Sequence, residues 1–284
     1  MRWATVRGEW GPRVCGVRVN RCIDVNAADP SLPSNLKDLL EMGPGGLEQA
    51  AAAVQSGSIG FDLETAELMS PVHDPGKIIC LGLNYRDHAA ESNAPVPEEP
   101  ILFSKFNTAL IGHGRPIVLP EVSQQVDYEA ELVVVIGLKG KDIPRERAME
   151  HVAGYACGHD VSARDWQLNK PGKQWLAGKT FDTFAPVGPY MVTVDEVADP
   201  HALSVKLRLN GETMQDSSTS QLIFKVDEMI SYISKIVTLM PGDLIYTGTP
   251  PGVGMARKPP VFLKKGDVVE VEIAGLGTLR NPVI

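Results

Sequence analysis

Acidic side chains in two segments carry the first chemical signal. In DYEAELVVVIG, strand alternation puts Asp127, Glu129 and Glu131 on one face and Ala130, Leu132, Val134 and Ile136 on the other. An isolated Glu-x-Glu is most simply a strand with one solvated face. Here the acidic face runs on into Val133 and Val135, so the carboxylates lead into apolar surroundings, where adjacent like charges need a compensating cation. Asp160 follows a second apolar run, Tyr155 to Gly158. Carboxylate oxygens from Glu129, Glu131 and Asp160 suit one hard ion per subunit, Mg²⁺ or Mn²⁺, with positions left for substrate and water. Zinc is disfavoured, because no His or Cys cluster has its ligand spacing. His159 points away from Asp160 in an extended segment and reads as structural.

Three further segments could serve such a centre. In GLNYRDHAAES, His88 and Glu91 lie on one side of a helical turn. Glu91 would then orient His88 as a general base, although surface helices carry such pairs by chance. Lys179 sits in WLAGKTFDTF. Gly178-Lys179-Thr180 resembles the end of a phosphate loop, but the glycine that motif requires five places earlier is Lys173, so no nucleotide is expected. A lysine beside an acidic centre can hold a developing oxyanion; the alternative is an exposed lysine. Finally, Thr247-Gly248-Thr249 ends a strand before Pro250-Pro251-Gly252. Backbone N–H groups around Gly248 and the Thr249 hydroxyl could cradle a substrate carboxylate.

The elements that must position these groups are mostly strands. Ile78–Leu83, Glu129–Ile136 and the alternating Val205, Leu207 and Leu209 read as strands, the last running into the hairpin signal Asn210-Gly211. Val269, Val271 and Ile273 alternate near the C-terminus. Ile223, Val226, Ile230, Ile233 and Val237 predict one long helix, and shorter helices are expected over 85–92 and 145–152. Residues 1–72 differ: short strands precede an alanine-rich helical stretch interrupted by Gly43-Pro44-Gly45-Gly46, and no titratable cluster is visible. The expectation is α+β and β-rich, a small N-terminal α/β domain (1–72) followed by a catalytic domain (73–284).

Composition narrows the function classes. The 284 residues are 43% hydrophobic and 22% charged, enough apolar material for a sizeable core. The balance of 27 Lys and Arg against 35 Asp and Glu, a formal charge of −8, argues against nucleic acid as a partner. No apolar run approaches the ~20 residues of a membrane span. Four cysteines without a C-x-x-C pair and no visible secretory signal predict buried reduced thiols. The expected location is the cytoplasm, or an organelle for a mature form.

Taken in order, GLNYRDHAAE, FSKF, DYEAELVVVIG, GHDVSARDWQ, GKTFDTFAPVGP and PGDLIYTGTPPGVG resemble the fumarylacetoacetate hydrolase family, from about Pro75 to the C-terminus. The resemblance implies a mixed β-sandwich roll, a homodimer, Mg²⁺ or Mn²⁺ on Glu129, Glu131 and Asp160, and a His88–Glu91 dyad on a mobile lid. It also implies that Arg164, Gln167, Lys179, Thr183 and Thr249 line the substrate site. QWLAGKTFDTF and RKPPVFLKKGD are most similar to a branch linked to oxaloacetate enol–keto tautomerisation. The implied activity is stabilisation of the enolate of a 2-oxo (β-diketo) acid. Hydrolytic C–C cleavage of an acylpyruvate or fumarylacetoacetate-type substrate is the first expectation. Oxaloacetate tautomerase or decarboxylase and dienedioate isomerase are the alternatives, and a metal-dependent small-molecule binding protein is the non-enzymatic one. Ser104 and Lys105 are possible pocket contributors, with a solvated Lys105 equally in view.

Overall fold

Alternating apolar residues close the second half of the chain into two sheets. Ser204–Leu209 and Val268–Ile273 bury every second residue, and with Glu212–Ser218 and Gly277–Pro282 they form a four-stranded antiparallel sheet. Asn210 and Gly211 both adopt positive φ in the turn between Ser204–Leu209 and Glu212–Ser218, as a two-residue hairpin loop of opposite hand requires. This sheet packs its apolar face on a larger mixed sheet, giving a β-rich α+β sandwich. The computed structural model describes residues 1–91 and 94–284.

The larger sheet is centred on Ala130–Ile136, buried at every position. It pairs antiparallel with Val152–His159 on one side and Leu244–Tyr246 on the other, and Leu244–Tyr246 pairs in parallel with Ile78–Gly82. Ile101–Ser104 follows Ile78–Gly82 in the strand order. A strand flanked on both sides and covered on both faces must be almost wholly apolar, which explains the run LVVVI.

Segment 1–72 does not form a sheet of its own. Arg2–Gly8 pairs with Ala185–Thr193, so the N-terminal strands extend the large sheet. Gly43-Pro44 interrupts the helical stretch as expected, separating Leu36–Glu41 from Pro44–Ser56, a helix of 13 residues that takes in Gly45 and Gly46. Proline is tolerated there because its missing N–H would be unpaired in the first turn anyway. The helix expected from Ile223 begins at Val226, because Ile223 and Phe224 donate their N–H groups to the backbone and side chain of Asn84. The segment near 145–152 is a 3₁₀ turn, Arg145–His151. The helix predicted over 85–92 is Arg86–Glu91; Ser92 lies outside the described residues. All four cysteines are buried and unpaired. Among the described residues no helix is long and apolar enough to cross a membrane.

Candidate active site

Register brings the acids together. Regular pairing starts at Ala130, opposite His159, and the Asp160 N–H donates to the Glu129 carbonyl at 2.9 Å. The ends of two neighbouring strands therefore meet, and carboxylate oxygens of Glu129, Glu131 and Asp160 come within 4.8 Å of one another, all three residues buried. Asp127 belongs to a separate short ladder with Ser162, yet it faces the same guanidinium as Glu129.

Three buried cations answer these acids. Arg164 reaches Asp127 at 2.8 Å and Glu129 at 2.6 Å, and Lys179 Nζ lies 2.7 Å from Glu129 and 2.8 Å from Asp160. Lys105 Nζ lies 2.6 Å from the other Asp160 oxygen. The exposed alternative for Lys179 and the solvated one for Lys105 both fail, at 2% and 3% exposure. Glu131 has no cationic partner among the described residues; it accepts the Gly248 N–H at 2.7 Å. Burial, followed by repulsion from Asp160 and Glu129, pushes its carboxyl well above the ordinary range. Burial would also raise Glu129, but Lys179 and Arg164 outweigh it and hold that carboxylate low. With all four buried carboxylates ionised, the three cations would leave one negative charge uncompensated, a costly state at low dielectric that a proton on Glu131 or a bound cation relieves. An all-oxygen cluster with that excess fits a hard divalent cation on Glu129, Glu131 and Asp160.

A helical turn supplies the dyad. Asn84 amide bonds to Thr247 and Phe224 fix the start of Arg86–Glu91. His88 Nδ1 lies 3.1 Å from Glu91 Oε2, and Glu91 Oε1 accepts the Gly252 N–H at 2.9 Å. Partial burial works against the charged Glu91, but the bonds from His88 and Gly252 prevail and lower its titration. Gly252 has φ near +100°, and a Cβ there would overlap the Met214 carbonyl oxygen. Only glycine presents that N–H without displacing backbone.

The remaining predicted residues separate into groups. Arg164, Gln167, Lys179 and Thr249 line a cavity of about 190 Å³ together with His88, Glu129 and Glu131. Gly178 makes this possible, since a Cβ at that position would run into the backbone of Gln167 in the neighbouring short helix. Much of Arg164 is committed to Asp127, Glu129 and, at 2.9 Å, the Gln167 side-chain oxygen. The Thr249 hydroxyl donates to the Ala130 carbonyl and accepts from Gln215. Gly248 is corrected: its N–H holds Glu131, so it orients an acid in place of a substrate carboxylate. Thr183 is corrected too. It does not line the cavity, and its hydroxyl accepts the Val118 N–H at 2.8 Å. Ser104 is exposed and also outside the cavity. His159 is buried, and desolvation followed by Lys105 pushes its titration down to about 3, which keeps the ring neutral. Gln215 was not anticipated. Its side-chain oxygen accepts the Ala130 N–H at 2.8 Å and its amide reaches Thr249 and Pro250, stitching the small sheet to the acidic strand. No local motif marks it, because its partners are backbone and loop groups far away in sequence.

Comparison with known proteins gives the family and the fold. Residues 77–284 match the family described as fumarylacetoacetate (FAA) hydrolase C-terminal. The chain is 55% identical to a mitochondrial oxaloacetate tautomerase of Xenopus laevis, over 92% of this chain and 82% of that protein. The crystal structure of a putative HpcE protein from Mycobacterium smegmatis is 40% identical and superposes with a TM-score of 0.92, covering 100% of this chain and 99% of the other. A maleylpyruvate hydrolase from Sphingobium sp. SYK-6, solved with manganese(II) and pyruvate, is 34% identical, with a TM-score of 0.83 over 100% and 99% of the two chains.

Proposed function

The chain belongs to the fumarylacetoacetate hydrolase family, and from that premise we propose that it interconverts the enol and keto forms of a short 2-oxo diacid of the oxaloacetate type. One observation carries the reading: His88, backed by Glu91, opens onto the same cavity as Glu129, Glu131 and Lys179. A divalent cation on Glu129, Glu131 and Asp160 would supply Lewis-acid stabilisation of negative charge on a substrate oxygen. Lys179 adds a buried ammonium beside that position. With its Nδ1–H donated to Glu91, His88 keeps Nε2 free to take up a proton and return it. Tautomerisation asks for nothing more: one proton leaves the enol oxygen, one arrives at carbon, and no bond between heavy atoms breaks.

The 55% identity of the Xenopus relative ranks this reaction above C–C hydrolysis, since solved structures that carry a hydrolase name are 33%, 34% and 35% identical. At about 190 Å³ the cavity is smaller than the ~300–1,000 Å³ of pockets for drug-sized ligands, which favours a short diacid. The test follows enol absorbance and product identity together, with oxaloacetate and with acylpyruvates, in Mg²⁺ or Mn²⁺. Enol loss with oxaloacetate recovered intact supports tautomerisation. Faster release of pyruvate from acylpyruvates would replace it with hydrolysis.

A further inference from the structure

Lys105 lies just beyond the strand Ile101–Ser104, and its side chain is fully buried. Its Nζ contacts Asp160 Oδ1 at 2.6 Å, the Val161 carbonyl at 3.0 Å and the Phe184 carbonyl at 2.8 Å, and it also donates to the Lys179 carbonyl. An ammonium has three N–H groups and no lone pair. With four acceptors around it, Lys105 has no donor left for a substrate, and it does not line the cavity. Its acceptors come from the end of Val152–His159, from the end of the short helix Trp175–Lys179 and from the residue before Ala185–Thr193.

We propose that Lys105 is a positioning residue that sets the geometry of Asp160 against Lys179. Its ammonium, held by three carbonyls, forms an ion pair with Oδ1 at 2.6 Å, and Oδ2 of Asp160 faces Lys179, 2.8 Å away. By holding the Lys179 carbonyl it fixes the root of the side chain that bridges Asp160 and Glu129. One buried cation thus orients both an acid of the proposed ion site and the lysine beside it. This rests on Glu129, Glu131 and Asp160 holding a divalent cation.

The test is Mn²⁺ binding by titration calorimetry on full-length wild type, K105M, D160N and the double variant, with thermal unfolding of each. Partners that orient ligand side chains typically contribute 10–100-fold to metal affinity, so K105M should bind Mn²⁺ at least about tenfold more weakly than wild type. In the D160N background K105M should add less than about twofold, since its effect passes through Asp160. Wild-type Mn²⁺ affinity in K105M, or full additivity in the double variant, overturns the proposal. A wild type that takes up no Mn²⁺ removes the ion reading and this inference with it, while binding retained in K105M removes this inference alone. If K105M does not fold, K105Q is read by the same criteria, and failure of both to fold assigns Lys105 to stability and ends the proposal.

Discussion

The Gly252 amide lies 2.9 Å from Glu91 Oε1, so the loop after Leu244–Tyr246 holds the acidic half of the dyad while His88 holds the other oxygen. A Cβ at Gly252 would overlap the Met214 carbonyl, so Gly252→Ala must shift that loop or lose the bond. The expected result is a fall in kcat of at least about tenfold with little change in KM, because the contact orients a proton-transfer group and leaves substrate binding alone. Glu91→Gln should act in the same direction without moving the loop. Steady-state kinetics on the two variants checks this, and a G252A enzyme with unchanged kcat removes the loop from the dyad.

Glu131 makes a prediction about pH whose sign is opposite to the usual carboxylate. Burial and the neighbouring acids raise its folded-state titration, so ionising it costs stability once pH exceeds the unfolded value of about 4.3. The cost grows until pH passes the folded value and is then constant. In chelator-treated protein Glu131→Gln should therefore melt higher than wild type at neutral and alkaline pH. That gain should shrink as pH falls and vanish below about pH 4. The same variant should lose most of its Mn²⁺ affinity. Thermal melts across pH in EDTA decide it: a Gln variant less stable than wild type at pH 8 contradicts the uncompensated charge.

Arg164 tests whether fork geometry or charge alone organises the site. One guanidinium joins Asp127, Glu129 and the Gln167 side chain through three different nitrogens. Lysine carries the charge but not the planar spread of donors. Arg164→Lys should lower Tm and reduce kcat/KM by at least about tenfold, with Glu129 and Asp127 no longer held together. Retention of wild-type kinetics would mean that charge suffices.

The acidic centre was legible because strand alternation and carboxylate chemistry act over a few residues, and Glu129, Glu131 and Asp160 meet once two adjacent strands pair. His88 and Glu91 were legible for the same reason, being three apart on one helical turn. Lys105 and Gln215 were not, because each is defined by carbonyls and side chains contributed from remote segments. Nothing in FSKF distinguishes a lysine enclosed by carbonyls from one in water. Gly248 was placed in the right loop with the wrong partner, since a strand-end N–H serves a substrate or an internal acid equally well until Glu131 is placed 2.7 Å away. The edge of the N-terminal region was hidden likewise. Pairing of Trp3 with Met191 spans most of the chain, and no local composition change reports it.

Cavity size gives the last prediction. Trp175 and Phe103 both line the cavity and meet edge to face, with ring centroids 5.6 Å apart. The indole lies so close to Gly82 that a Cβ there would overlap it. This aromatic wall limits the room for whatever substituent extends from the 2-oxo acid. Trp175→Ala removes the bulk without touching Glu129, Glu131 or Asp160, and it should shift preference toward acids with longer acyl chains. Each methylene accommodated in an apolar pocket is worth about 1–3 kcal/mol of discrimination, so the ratio of kcat/KM for a branched or extended acid to that for oxaloacetate should rise at least about tenfold. Gly82→Ala should do the reverse, forcing the indole inward and reducing turnover of even the short diacid. Competition assays with an acid series of increasing length read both variants directly. A W175A enzyme with the wild-type order of preference would place the size limit elsewhere in the wall.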